Sequence, residues 1–177
     1  MLKFSDFLFE MPQINTYHSK SLMKNMADQN RDLINNSPEK EHHIGDGIYH
    51  KNIDGDHTYY KKDSVGRPNE FSVISRGNTH SFTHRGTGSA DTIHKIMIHH
   101  AEKHGFIQSD TSNTEGSKKL WTSLIKSKPK NKSFHVINKY TREKIPVDHT
   151  NIDKLSNDIW GTSAKHGETR LVMKHND

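Results

Sequence analysis

The residues best suited to chemistry are Arg85-Gly86-Thr87-Gly88-Ser89-Ala90, which stand where an alternating segment ends and a helical pattern begins. Gly86 and Gly88 permit a positive φ and let a ligand come close to the backbone. Ala90 keeps the first helical turn slim, and the free N–H groups that open the following helix, with its dipole, attract an anion. That chemistry suits a pyrophosphate. Alone, the hexapeptide reads more readily as a plain turn before a helix; the order of the elements C-terminal to it supports the anion site. A second group is histidine, of which the chain has fifteen. His100 and His104 are spaced i, i+4 and could clamp zinc from one helix face. The run HHAEKH is not His-Glu-x-x-His, however, and no third ligand stands out. The apolar stripe of that helix runs through other positions, so both rings are expected in solvent and no metal is expected.

The elements that must hold the loop follow from hydrophobic spacing. Ile93, Ile96, Met97 and Ala101, broadened by Ile98, predict an amphipathic helix over 90–104. Gly105 ends it in a left-handed conformation. Phe106-Ile107-Gln108-Ser109 makes one short buried strand, Asp110 to Asn113 supply turn and cap chemistry, and Leu120, Trp121, Leu124 and Ile125 mark one face of a second helix.

This strand, loop, helix, strand, helix order resembles the GNAT superfamily of acyl-CoA-dependent N-acyltransferases. Arg85, Gly88 and Ala90 occupy the three defining positions of its (Arg/Gln)-x-x-Gly-x-(Gly/Ala) pyrophosphate loop. The run SDTSNTEGSKKLW is similar to GNAT-like proteins of tailed bacteriophages. The resemblance is carried by residues 79–126 and extends by strand order over 45–175. It implies an α/β (α+β mixed) fold, a central, mostly antiparallel sheet flanked by helices. It also implies acetyl-CoA as cofactor, held by Arg85, Gly86, Thr87, Gly88, Ser89 and Ala90.

An N-acyltransferase needs a base near the acceptor amine. His80 and Asp110 are the candidates that could approach the acyl carbonyl, with His84 and Glu70 behind them. Each has a plain alternative, His80 as a polar strand residue and Asp110 as a turn or cap residue. Many members of the family carry a Tyr that protonates the departing thiolate. Trp121 stands at that place, and an indole N–H cannot act as a general acid near neutral pH. Two functions therefore stand: an acyl-CoA-dependent N-acyltransferase acting on an amine or protein lysine, and a non-catalytic GNAT-like phage protein that binds a host defence protein or toxin.

Composition bounds the rest. The 177 residues are 29% hydrophobic, and mean hydropathy is −0.97, which allows a modest core beside polar tail or loop. Residues 1–44 read as a polar N-terminal leader and helical segment, broken at Asn35-Asn36-Ser37-Pro38, and 45–177 as the GNAT-like domain. Leu8-Phe9-Glu10 matches the Leu-x-Glu cleavage site of phage internal head proteins. An ordinary packed N-terminal helix is the alternative. The chain has no cysteine and thus no thiolate chemistry. No apolar run approaches the roughly 18 residues that span a bilayer. Host cytoplasm, or the phage head if the leader is real, is the expected location. The net charge of +5 favours polyanions, but the basic cluster Lys126–Lys132 has no interleaved aromatic to stack on bases. It reads as a solvated loop before a nucleic-acid site. Strand patterns at 47–50, 57–61, 70–75, 79–84, 133–138 and 169–174, and a short helix around Ile152 to Trp160 ended by Gly161, complete the reading.

Overall fold

The computed structural model describes residues 20–75, 80–84, 89–109, 115–155 and 168–177. Three α-helices and nine strands are formed among them, with strand pairing that is mixed and mostly antiparallel, an α+β architecture. None of the described helices is long and apolar enough to cross a membrane. The described residues fall into two compact units that divide after Val73.

In the first unit, helix α1 (Lys20–Asn36) precedes β1 (His42–Gly45), β2 (Ile48–Ile53), β3 (Asp56–Lys62) and β4 (Pro68–Ile74), which lie side by side in chain order. The β2–β3 hairpin turns on Asp54-Gly55, both at positive φ (51° and 92°), the requirement of a two-residue type I′ turn. Ile34 on α1 packs with Ile53, Tyr60 and Phe71 of the strands, and Ala27 and Tyr49 border this cluster. Each of these large side chains contributes about 1.5–3 kcal/mol by leaving water. The helix ends as expected at Asn36, before Pro38. Lys51 Nζ reaches over from β2 and donates to the carbonyls of Ile34 and Ser37 at 2.9 and 3.2 Å.

In the second unit, β5 (Ser81–His84) leads to α2 (Ala90–His104), β6 (Phe106–Ser109), α3 (Glu115–Lys126), β7 (Lys132–Asn138), β8 (Lys144–Val147), a 3-10 turn (Ile152–Lys154) and β9 (Thr169–His175). The strand order is β5-β6-β9-β7-β8. β5 and β6 are parallel, joined through α2, and β9 inserts antiparallel between β6 and β7. Helices α2 and α3 share a contact sealed by His94, whose Nε2 meets the Leu120 carbonyl at 3.0 Å and Ser123 Oγ at 3.1 Å. The predicted bounds of α2 and β6 are those found. The expected helix around Ile152 is only the 3-10 turn in its described part, and residues 156–160 lie outside the described residues.

Candidate functional site

Helix α2 opens with a complete cap. Ser89 is extended (φ −70°, ψ 144°), its Oγ accepts from Thr92 N at 3.2 Å and its carbonyl accepts from Ile93 N at 3.1 Å. The N–H groups of Ala90 and Asp91 remain outside the helical bonding, as at any helix start. They and the dipole suit an anion, whereas the exposed Asp91 carboxylate opposes one and is partly offset by Lys95 at 3.2 Å. Residues Arg85, Gly86, Thr87 and Gly88 lie outside the described residues, as does Asp110.

The β5–β6 register runs Ser81↔Gln108 and Phe82↔Ser109, the last described residue of β6. Gln108 reinforces it, its backbone N–H donating to the His80 carbonyl and its side-chain amide to Ser81 Oγ, both at 3.2 Å. Beyond the last β6–β9 pair, Ser109 Oγ accepts the Leu171 N–H at 3.1 Å in place of a ladder carbonyl. In open parallel α/β sheets ligands bind outside the carboxyl ends of the strands; here β5 and β6 form a single parallel pair among the described pairings.

At the other end of α2 a histidine cluster forms. His80 Nδ1 is 2.9 Å from His100 Nε2. The ring centres are 5.0 Å apart for His80 and His100, 5.2 Å for His80 and His104, and 4.4 Å for His100 and His104, with Phe106 edge-on to His80. Burial pushes the His80 and His104 imidazoles below the usual histidine range, and the His80, Lys103 and His99 charges push His104 the same way. His80 itself is held at a φ of 41°, a conformation costly for a side chain with a Cβ.

Two expectations are corrected here. His100 is fully buried and His104 half-buried, not in solvent. They stand seven residues after Ile93 and Met97, so the helical period carries the buried face through them. And a third imidazole, His80, comes from outside the helix, a neighbour that spacing along α2 cannot reveal. The placement also separates His80 from the start of α2. His100 is ten residues beyond Ala90, about 15 Å at helical rise, so His80 does not adjoin Ser89.

Trp121 is fully buried in the α3 face with Leu120, Leu124 and Ile125, a core position; its Nε1 is enclosed without a hydrogen-bond partner among the described residues. Glu70 belongs to β4 of the first unit, at a φ of 53°. In that unit His50 and His57 form a buried pair, Nε2 to Nδ1 at 3.0 Å, from the one face they share on β2 and β3. His42 and His43 are exposed, while His175 is half-buried against Lys132. The cluster Lys126–Lys132 does form a helix-to-strand loop, but its terminal lysines are engaged, Lys126 with Asp153 and Lys132 with Glu102. A shallow cavity of about 350 Å³ beside it is lined by Lys128, Pro129, Phe134, His135, Val147 and His149. No protein-family model, curated protein or solved structure matches the chain.

Proposed function

We propose that this chain is a GNAT-like acyl-CoA binder that transfers the acyl group to an amine, in a small molecule or a protein lysine. One observation carries the reading: β5 and β6 are parallel and joined through α2, whose start is capped by Ser89, and β9 inserts antiparallel between β6 and β7. In this reading the backbone N–H groups of residues 86–90, with Arg85, hold the pyrophosphate. Acetyl-CoA supplies the activated thioester. The roughly 15 Å from Ala90 to His100 and its partner His80 is a span that an extended pantetheine arm bridges. His80, kept neutral by burial, then accepts the proton lost by the attacking amine. Asp110 is the other candidate base.

A second reading, a non-catalytic GNAT-like protein that binds a host defence protein or toxin, is favoured by Trp121. Its indole is buried in the core where the family places the acid. Calorimetry and thermal shift with acetyl-CoA decide between them. At 100 times its dissociation constant a ligand stabilises by about 2.7 kcal/mol, and Gly88→Glu should abolish that gain by putting a carboxylate into the phosphate loop. No binding at millimolar acetyl-CoA ends the acyltransferase reading and leaves the second. Binding that survives Gly88→Glu means that the loop is not where the pyrophosphate sits.

A further inference from the structure

We infer that His80, His100 and His104 form a site for a borderline divalent transition metal, zinc being the first choice, with a fourth place for water or an exchangeable ligand. Two of the rings are one helical turn apart on α2, the arrangement by which a helix offers two imidazoles to one ion. The third comes from the residue that precedes β5. The ring geometry fits such an ion. With zinc–nitrogen bonds of about 2.0–2.1 Å in a tetrahedral set, imidazole centres sit about 3.2 Å from the metal and about 5 Å from one another. The observed centre separations of 5.0 and 5.2 Å are close to that spacing, and the 4.4 Å between His100 and His104 is shorter, so those two rings must move apart to bind one ion. A ligand nitrogen of His80 is within 4.8 Å of one on His104, and Nδ1 of His80 is 2.9 Å from Nε2 of His100. To admit an ion, that contact must open from 2.9 Å to the roughly 3.3 Å between two tetrahedral ligand atoms, and the ring-to-ring hydrogen bond gives way to two metal bonds.

The surroundings suit neutral imidazole ligands. His100 is fully buried and the other two rings are half-buried. Burial favours the uncharged form that binds metal. Without cysteine in the chain, the donors are nitrogen and oxygen, which suits zinc, cobalt, nickel and copper and disfavours softer ions. The bound ion would tie the start of β5 to the last turn of α2. Metal binding does not itself require acyl-CoA, but a metal-bound His80 cannot accept the amine proton, so with the ion in place the candidate base of the proposed reaction is Asp110.

The test is titration of chelator-treated full-length protein with zinc by calorimetry and with cobalt by visible absorption. One equivalent of zinc per chain should bind at micromolar concentration or tighter, and cobalt should give the intense visible bands of a tetrahedral centre. His104→Gln and His80→Gln should each weaken zinc at least 10-fold and remove the cobalt bands, whereas a His42→Gln/His43→Gln double variant should leave both unchanged. Because His100 is buried, its variant could fail to fold. The half-buried His104 and His80 carry the test, with circular dichroism to establish that they fold. Zinc affinity unchanged in both folded variants, binding lost equally in the His42/His43 variant, or no binding at micromolar zinc overturns the site.

Discussion

The ammonium of Lys132 sits in a side chain only 1% exposed, 2.9 Å from Glu102 Oε1. It also donates to the Lys130 carbonyl at 3.2 Å and meets His175 Nδ1 at 3.1 Å. Removing the one anion leaves a buried cation among neutral acceptors, while removing the cation leaves a half-exposed carboxylate that water can serve. Glu102→Ala should therefore cost about 1–2 kcal/mol, discounted for the exposure of Glu102, and more than Lys132→Met. Urea unfolding of both variants checks the order; a costlier Lys132→Met would mean that packing, not charge, dominates there. At this scale the sequence is legible where a residue's type fixes its surroundings. Trp121 reads as a core aromatic because Leu120 and Leu124 flank it at helical spacing, and it is one. Lys132 reads as part of a basic loop because charge says nothing of Glu102, thirty residues earlier. The histidines fail for the same reason: His100 and His104 are visible as a pair, but His80 becomes their partner only when β5 comes to lie against α2.

Among the elements, those with both a period and a stop are the ones the sequence defines. Helix α2 has its stripe from Ile93 to Ala101 and its stop at Gly105, which adopts a φ of 87° and donates its N–H to the Ala101 carbonyl at 2.7 Å. No atom would obstruct a Cβ at that position, so Gly105→Ala isolates the backbone term. It should cost about 1 kcal/mol by circular-dichroism melting; no change would mean that the helix end relaxes into another cap. Strands β1 and β8 escape sequence reading. Each has four residues and, unlike the equally short β6, no Gly stop before it and no adjacent pair of large apolar residues like Phe106-Ile107 within it, and β8 carries Pro146 and exposes Lys144, Ile145 and Pro146. It exists because β7 offers it a partner, Phe134↔Val147 through Ile137↔Lys144, and an edge strand tolerates a proline whose missing N–H faces outward. Helix α1 is a third case. Its weak period fixes little, and its end is held from β2 by Lys51. Lys51→Met should loosen that end at a cost of about 1 kcal/mol, seen as faster amide exchange at Leu33 to Ser37; unchanged exchange would remove Lys51 from the cap.

At the scale of the whole chain, the order of strands and helices was enough to give an α+β class, since a parallel pair needs a crossover and a run of hairpins does not. What no pattern displays is how many of the fifteen histidines the fold takes out of water. His80, His94, His99, His104 and His135 are all pushed below the usual value of 6.5, burial being the first cause in each. The unfolded chain therefore binds more protons than the folded one just below that value, and stability rises with pH there. The contribution of these groups is complete above about pH 6.5 and is lost as pH falls through their lowered folded values. Glu41 adds a later loss. Burial raises its carboxyl, but hydrogen bonds from Lys62 and Tyr60 and the charges of Lys62 and Lys51 outweigh that and hold it below 4.5. Melting temperature, followed in chelator from about pH 8 to about pH 5, should fall well before any carboxylate titrates. Two causes could produce that fall, and salt separates them. Protonated histidines on a chain already at +5 repel one another, a term that ions screen, whereas the refusal of a buried imidazole to charge is screened far less. The fall should persist at about 0.5 M salt, where the Debye length is only a few ångströms. Its disappearance there would assign the acid sensitivity to surface repulsion, and a flat profile above pH 5 would mean that these rings charge as freely folded as unfolded.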